Sequence, residues 1–560
     1  MSQPISRHFA TVDGRWGPRQ VHYRRSGQGP ALVLLHQSPQ SSRELAALMQ
    51  RWSAHFTLIA PDTPGYGQSD PLGPASLGIT EFAEALGEFV DAIGLHRFGI
   101  YGFHTGASIG LWYAAQQPAR VAAMAANGLA QLTDAERRDI LANYLPPVVP
   151  AWDGSHLAWM WGRMREQTLF FPWYDHRPAA RMTFDVPPAT VLHDSFMDFL
   201  RAGDHYAVAY RAAFESRPDT VLPGLRVPLL VTAAAGDPLQ VHLGRLGELP
   251  PGVEVVPSAG REPALERCLG HLLARRGDPA PAPVATRALP GRLWNRMLQL
   301  PSGQVRVRER LDGQGAPVML LHGAGQSADA MNRLAAGIAG TRPLIVADLP
   351  GHGESDRPAS GPGIASSAVA CLEVLGEAGL TSCTLAGIGA GACVALEMGR
   401  RARGRAHPLA LLDLPFLPDS SAAAFREQGL PDLAPRWHGG HLPEAWHMLR
   451  DARLFFPWFD RRHASALRLE SDLDETGLQA ELLDLLRASP SWQALFADAL
   501  DYPVTAALAT QRGALAIGAA SNSAWLGATR AAAASRSGLA AQLLPAAQEQ
   551  WLPALLATLA

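Results

Sequence analysis

The stretch IYGFHTGASIG, residues 100–110, places an imidazole at the apex of a strand-to-helix turn. Its apolar first half reads as a short strand, Gly102 and Gly106 frame a tight turn, and a helix follows. His104 therefore stands at a helix N-terminus. The positive end of the dipole disfavours the imidazolium, so the expectation is a lowered pKa and a neutral ring. Neutral imidazole can act as a general base or as a nucleophile.

Missing residues narrow the chemistry further. All 48 basic residues are arginine, which excludes a Schiff-base lysine and a Walker-type phosphate lysine. No G-x-G-x-x-G fingerprint follows a predicted strand. Cys268, Cys371, Cys383 and Cys393 lack C-x-x-C spacing and a nearby His pattern, so they read as buried thiols, with neither a zinc site nor a disulfide framework. No metal and no organic cofactor is expected.

A net charge of -3 and a pI near 6.7 supply no basic field for nucleic acid or an anionic membrane. The N-terminal MSQPISRHFATVDGRWG lacks the apolar core of a signal peptide, and no apolar run approaches the roughly 20 residues of a membrane span. A cytoplasmic protein acting on a small molecule is the expectation.

At 560 residues the chain is too long for one core. An internal repeat divides it. PAWDGSHLAWMWGRMREQTLFFPWYDHR (150–177) matches PRWHGGHLPEAWHMLRDARLFFPWFDRR (435–462) without a gap, at an offset of 285. Within a residue, the same offset carries LVLLHQ onto VMLLHG, APDTPGYGQSD onto VADLPGHGESD, and Gly102/Gly106 onto Gly387/Gly391. The expected domains are 1–274 and 293–560, joined by a weakly ordered, extended Pro/Ala linker at 275–292. Pairing of the two halves, or a homo-oligomer, would be natural for such a chain.

In the first copy, ALVLLH, FTLIAPD, FGIYGFH, VAAMAANGL, PLLVTAAAGD and VEVVPSAG read as buried strands. SSRELAALMQRW, ITEFAEALGEFVDAI and GASIGLWYAAQQP read as helices between them. Continuous apolar strands joined by helices predict an α/β fold with a parallel sheet covered on both faces. An aromatic-rich insertion at about 133–222, matched by one at about 418–500, reads as a helical cap over a ligand crevice.

LLHQ/LLHG, DTPGYGQSD/DLPGHGESD and the elbows GFHTG/GIGAG resemble the capped α/β-hydrolase superfamily across both halves. The resemblance implies two tandem α/β-hydrolase folds with non-serine elbows. It places an acid at Asp237, oxyanion-hole N–H groups at Gln37 and Thr105, and Arg261 where the family's catalytic His would stand. On this basis His104 is the base or nucleophile, Asp237 its orienter and Arg261 the anion contact. In the second copy the elbow apex is Gly389, the acid position falls on Asn522 and the His position on Gln548 or Glu549, which predicts a non-catalytic half. Cap residues that differ between the copies, Trp159, Tyr174, His176, His193, His205 and Tyr206, are the expected pocket lining.

The resulting expectation is hydrolysis of a small ester, lactone or carbon–carbon bond. Two other functions fit the same residues: a catalytically inactive pseudo-hydrolase that binds a ligand or scaffolds a partner, and a cofactor-free lyase or oxygenase with His104 as base.

Overall fold

Runs such as Ala31–Leu35 and Thr57–Pro61, in which every residue is buried, need apolar cover on both faces and are strands inside a sheet. In the computed structural model, which describes residues 4–73, 77–402, 406–468 and 471–559, they do lie inside one. The first sheet comprises β1 (Ser6–Gly14), β2 (Gly17–Ser26), β3 (Ala31–Leu35), β4 (Thr57–Pro61), β5 (Phe98–Phe103), β6 (Val121–Asn127), β7 (Leu229–Thr232) and β8 (Val253–Val255). Its order is β1-β2-β4-β3-β5-β6-β7-β8. The β1/β2 and β2/β4 pairings are antiparallel, and the rest are parallel.

A second sheet repeats that plan with β9 (Trp294–Leu300), β10 (Gly303–Arg310), β11 (Val318–Leu321), β12 (Leu344–Ala347), β13 (Thr384–Ile388), β14 (Leu409–Leu412), β15 (Leu515–Ala520) and β16 (Ala541–Leu544). Read from β9, the order is β9-β10-β12-β11-β13-β14-β15-β16. The chain thus carries two tandem α/β-hydrolase folds, each a mostly parallel sheet with helices. The two compact units are Met1–Val149 with Trp159–Leu289, and Pro150–Ala158 with Pro290–Ala560.

In both units the parallel strands end at the site. Gly102 and Phe103 at the end of β5 pair with Ala126 and Asn127 of β6, which brings the elbow beside the loop leaving β6. The helix Thr105–Gln116 that follows is buried along most of its length. Cap helices, including Asp134–Asn143, Ala189–Ala202 and Tyr206–Glu215, lie between β6 and β7. Their counterparts, including Asp419–Gln428, Glu475–Arg487 and Ser491–Asp501, lie between β14 and β15.

The segment expected to be a weakly ordered linker is instead held by the first unit. The Asp278 carbonyl accepts the Ala31 N–H at 2.8 Å, the Asp278 N–H donates to the Arg97 carbonyl at 2.7 Å, and Thr286 Oγ1 donates to the Phe9 carbonyl at 2.8 Å. Proline keeps the segment extended, and these bonds satisfy its backbone against strand ends. All four cysteines are buried and free. No helix among the described residues is long and apolar enough to cross a membrane.

Candidate active site

His104 adopts φ 49°, ψ -109°, a left-handed conformation that the turn from β5 into the helix imposes. The flanking glycines are dictated by contact: a Cβ on Gly102 would lie 2.5 Å from the Gly106 carbonyl oxygen, and one on Gly106 would lie 2.2 Å from that of Leu35. Gly128, just beyond β6, matters for a different reason. A Cβ there would lie 2.3 Å from His104 Cδ2 and 2.7 Å from Nε2, so the imidazole fills the place a side chain at 128 would take.

His104 Nε2 meets Asp237 Oδ2 at 2.9 Å. About a quarter of the imidazole side chain is exposed, against 8% of the Asp237 side chain. A carboxylate can only accept, so in the neutral ring the proton sits on Nε2 and the lone pair on Nδ1. Asp237 is itself held by the Leu239 N–H, which donates to Oδ1 at 2.8 Å. Burial works against ionisation of both groups, yet their mutual charge and hydrogen bond prevail: Asp237 is held below the usual carboxylate range and His104 is raised above its ordinary value. The helix-dipole expectation of a lowered pKa is therefore overturned. One dipole end is weaker than a full carboxylate at hydrogen-bond distance, and Glu44 adds to the upward pull.

Glu44 had no signal in the sequence. Its Oε1 accepts the Gln37 N–H at 2.7 Å and its Oε2 accepts Gln37 Nε2 at 2.9 Å. The Gln37 N–H expected in the oxyanion hole is thus already bonded to Glu44, whose carboxyl burial pushes up to about 7. Thr105 heads the elbow helix, and among the described residues no acceptor is placed on its N–H. Its Oγ1 accepts the Ser38 N–H at 3.3 Å. His36, in the LLHQ motif, is structural: Nδ1 donates to the Gln37 carbonyl and Nε2 accepts the Thr63 N–H, as His322 does with Gly323 and Leu349.

Arg261 does not join the dyad. It opens the helix Arg261–Leu273 as an exposed residue, and the partners of Asp237 among the described residues are His104 and Leu239. The expected pocket residues all lie in the insertion between β6 and β7. Trp159 is 40% exposed and edge-on to Trp173. The Tyr174 hydroxyl donates to Asp139 at 2.7 Å, His176 pairs with Glu166 at 3.4 Å, and His193 stacks on Phe196. His205 is exposed beside Gly65. Tyr206 is buried, its hydroxyl donating to the Pro146 carbonyl and its own carbonyl accepting from Tyr66 at 2.6 Å. Buried Arg163 forms the centre of the cap instead, over the rings of Tyr144, Trp173, Phe199 and Tyr206 at 4.8–5.6 Å.

In the second unit the elbow turn persists at Gly389, with φ 56° and ψ -123°, and carries no side chain. The acid position is Ser523 rather than Asn522: the Trp525 N–H donates to Ser523 Oγ at 3.0 Å, as the Leu239 N–H does to Asp237. Asp413 stands where Gly128 stands. Its N–H donates to the Gly518 carbonyl at 3.2 Å, as that of Gly128 does to Thr232 at 2.7 Å. Ser523 Oγ donates to Asp413 Oδ1 at 2.8 Å. Burial raises the Asp413 carboxyl to about 6. The Gly323 N–H, equivalent to that of Gln37, is again taken, by Gln326 Oε1 at 2.9 Å.

Residues 30–267 match the family described as alpha/beta hydrolase fold. The chain is 33% identical over 115 residues to a soluble epoxide hydrolase of Corynebacterium sp. (strain C12), and 33% identical over 116 residues to haloalkane dehalogenase 2 of Mycobacterium tuberculosis. These stretches are 20% and 21% of this chain, and they span only 38% and 39% of the relatives' own lengths. Among solved structures, an unliganded epoxide hydrolase, CorEH, matches at 20% identity and a TM-score of 0.35, over 47% of this chain and 94% of its own. A hydrolase from Pseudomonas aeruginosa PA01 matches at 20% identity and a TM-score of 0.35, over 45% of this chain and 90% of its own.

Proposed function

From the premise that the first unit belongs to the α/β-hydrolase superfamily, we propose that it hydrolyses a small carbonyl compound, an ester or lactone before a carbon–carbon bond, with His104 as general base. The observation that carries this reading is the 2.9 Å His104–Asp237 bond at the elbow apex.

Asp237 fixes Nε2 as the protonated nitrogen, which makes Nδ1 the base. Water loses a proton to Nδ1 as its oxygen attacks the carbonyl carbon. Asp237 stabilises the imidazolium that results, and the imidazolium returns the proton to the leaving oxygen. Charge developing on the carbonyl oxygen is met by the Thr105 N–H and by Glu44 in its protonated form. Gln37 then acts by holding Glu44 rather than by facing the substrate. The second unit, with glycine at the apex and serine at the acid position, does not run this reaction.

A panel of small esters, lactones and β-diketones, extended to epoxides and haloalkanes because of the named relatives, tests this. Wild type should turn over a member that His104→Ala and Asp237→Asn do not. Equal rates in wild type and His104→Ala, or no turnover at all, would reject it. The bond from Gln37 to Glu44 favours a second reading, proton abstraction by His104 without acyl transfer; turnover confined to the β-diketones would select it.

A further inference from the structure

Among the described residues, only His104 and Asp413 combine a side chain with positive φ, at 49° and 48°. Strain of that kind persists where surrounding structure enforces it and concentrates at functional sites. His104 is accounted for. Asp413 belongs to the unit without the dyad, and its place in that unit corresponds to Gly128.

Because a Cβ at 128 would run into the imidazole, the side chain at 413 projects into the space that the imidazole fills in the first unit. There it meets Ser523 as His104 meets Asp237. The elbow itself leaves room: a Cβ built on Gly389 finds nothing nearer than Gly323 Cα at 3.9 Å. Asp413 is 8% exposed. Ser523 holds Oδ1, and among the described residues no second hydrogen-bond donor, arginine or histidine is placed on Oδ2.

A carboxylate buried to this extent without a counter-charge is costly, and a cation supplied from outside removes that cost. A metal ion is a poor match, since one carboxylate and one hydroxyl fall short of the six or so oxygen ligands that hard cations take. An ammonium suits the site better. Trp525, whose backbone N–H fixes Ser523, packs against Phe456 at 5.0 Å, Phe425 at 5.9 Å and Phe496 at 6.2 Å, so an aromatic cluster begins two residues from Ser523.

We propose that the second unit is a binding site for a small protonated amine, its nitrogen on the free oxygen of Asp413 and its organic body in the space above Gly389. In this reading the second unit recognises a cation where the first carries out hydrolysis.

The test is isothermal titration of the full chain with benzylamine, and with benzyl alcohol as its uncharged counterpart. Benzylamine should bind wild type at least tenfold more tightly than benzyl alcohol does. Asp413→Asn, which keeps the shape and tolerates positive φ, should abolish that preference, and so should Gly389→Leu by filling the space. His104→Ala should leave it intact, which separates this site from the hydrolase reading of the first unit. No binding of benzylamine, equal binding of the two compounds, or an undiminished preference in a folded Asp413→Asn protein would each overturn the proposal. If Asp413→Asn does not fold, displacement of benzylamine by cyclohexylamine but not by cyclohexanol in wild type decides it, and failure of that displacement rejects it.

Discussion

The first unit places His104 at the elbow, Gly128 opposite it and Asp237 behind it; the second places Gly389, Asp413 and Ser523 at the same three points. The side chain that meets the acid position comes from the elbow in one unit and from the neighbouring strand end in the other. The imidazole needs a glycine across from it, and an apex without a side chain lets the opposite position carry one. A glycine apex therefore does not leave the second site blank, and a site of this kind has to be read as a set of positions rather than by its apex alone.

Substitutions that convert one arrangement toward the other sharpen this comparison. His104→Ala should have the largest effect, a rate loss of about 10²- to 10⁴-fold, the usual contribution of a general base. Gly128→Ala should come close to it because the new Cβ displaces the ring, and should also lower stability because residue 128 has φ 77°; an imidazole NMR signal unchanged from wild type would contradict that. Asp237→Asn should lower the rate and also move the His104 titration from above 6.5 to below it, since burial then outweighs the remaining upward pull of Glu44. Imidazole NMR reads this directly.

The same pair predicts a pH dependence of stability. A raised His104 pKa stabilises the fold fully below 6.5 and loses that contribution as pH rises through the folded value. A depressed Asp237 pKa stabilises above 3.8 and loses its contribution as pH falls through the folded value. Thermal melts of wild type and His104→Ala should thus differ most between those limits, and the gap should narrow in alkali. A constant gap would count against the pair. Turnover should follow a bell near neutrality, needing His104 unprotonated and Glu44, with its carboxyl at about 7, protonated; Glu44→Gln should remove the fall at high pH. The smallest effect belongs to Arg261→Ala, within twofold of wild type, because this exposed residue lies outside the dyad.

Much of the fold was legible because β3 to β7 are apolar runs that only a doubly covered sheet can bury. β1 and β2 carry no such signal because SRHFATVDG and GPRQVHYRRS mix arginine and histidine into strands of an edge hairpin. His104 and Asp237 could be found from the ends of their strands. Glu44 could not: it lies seven residues from Gln37, and only the turn into the next helix carries it back to the Gln37 N–H. Asp413 was hidden by the fixed repeat offset. At 285 the acid position falls on Asn522, whereas the hydrogen bonds follow 286 and lead to Ser523, whose partner is Asp413. Arg261 was placed by its position after the last strand, but such a position does not set a side chain's direction, and here it opens a helix facing solvent.

His104, held by Asp237, is proposed as the base of the first unit. The most direct test of that role is the rate of hydrolysis of small esters and lactones by the full chain, comparing wild type with His104→Ala. Wild type should turn over at least one compound and the variant should lose that turnover; equal rates, or none in either protein, would rule out His104 as the base.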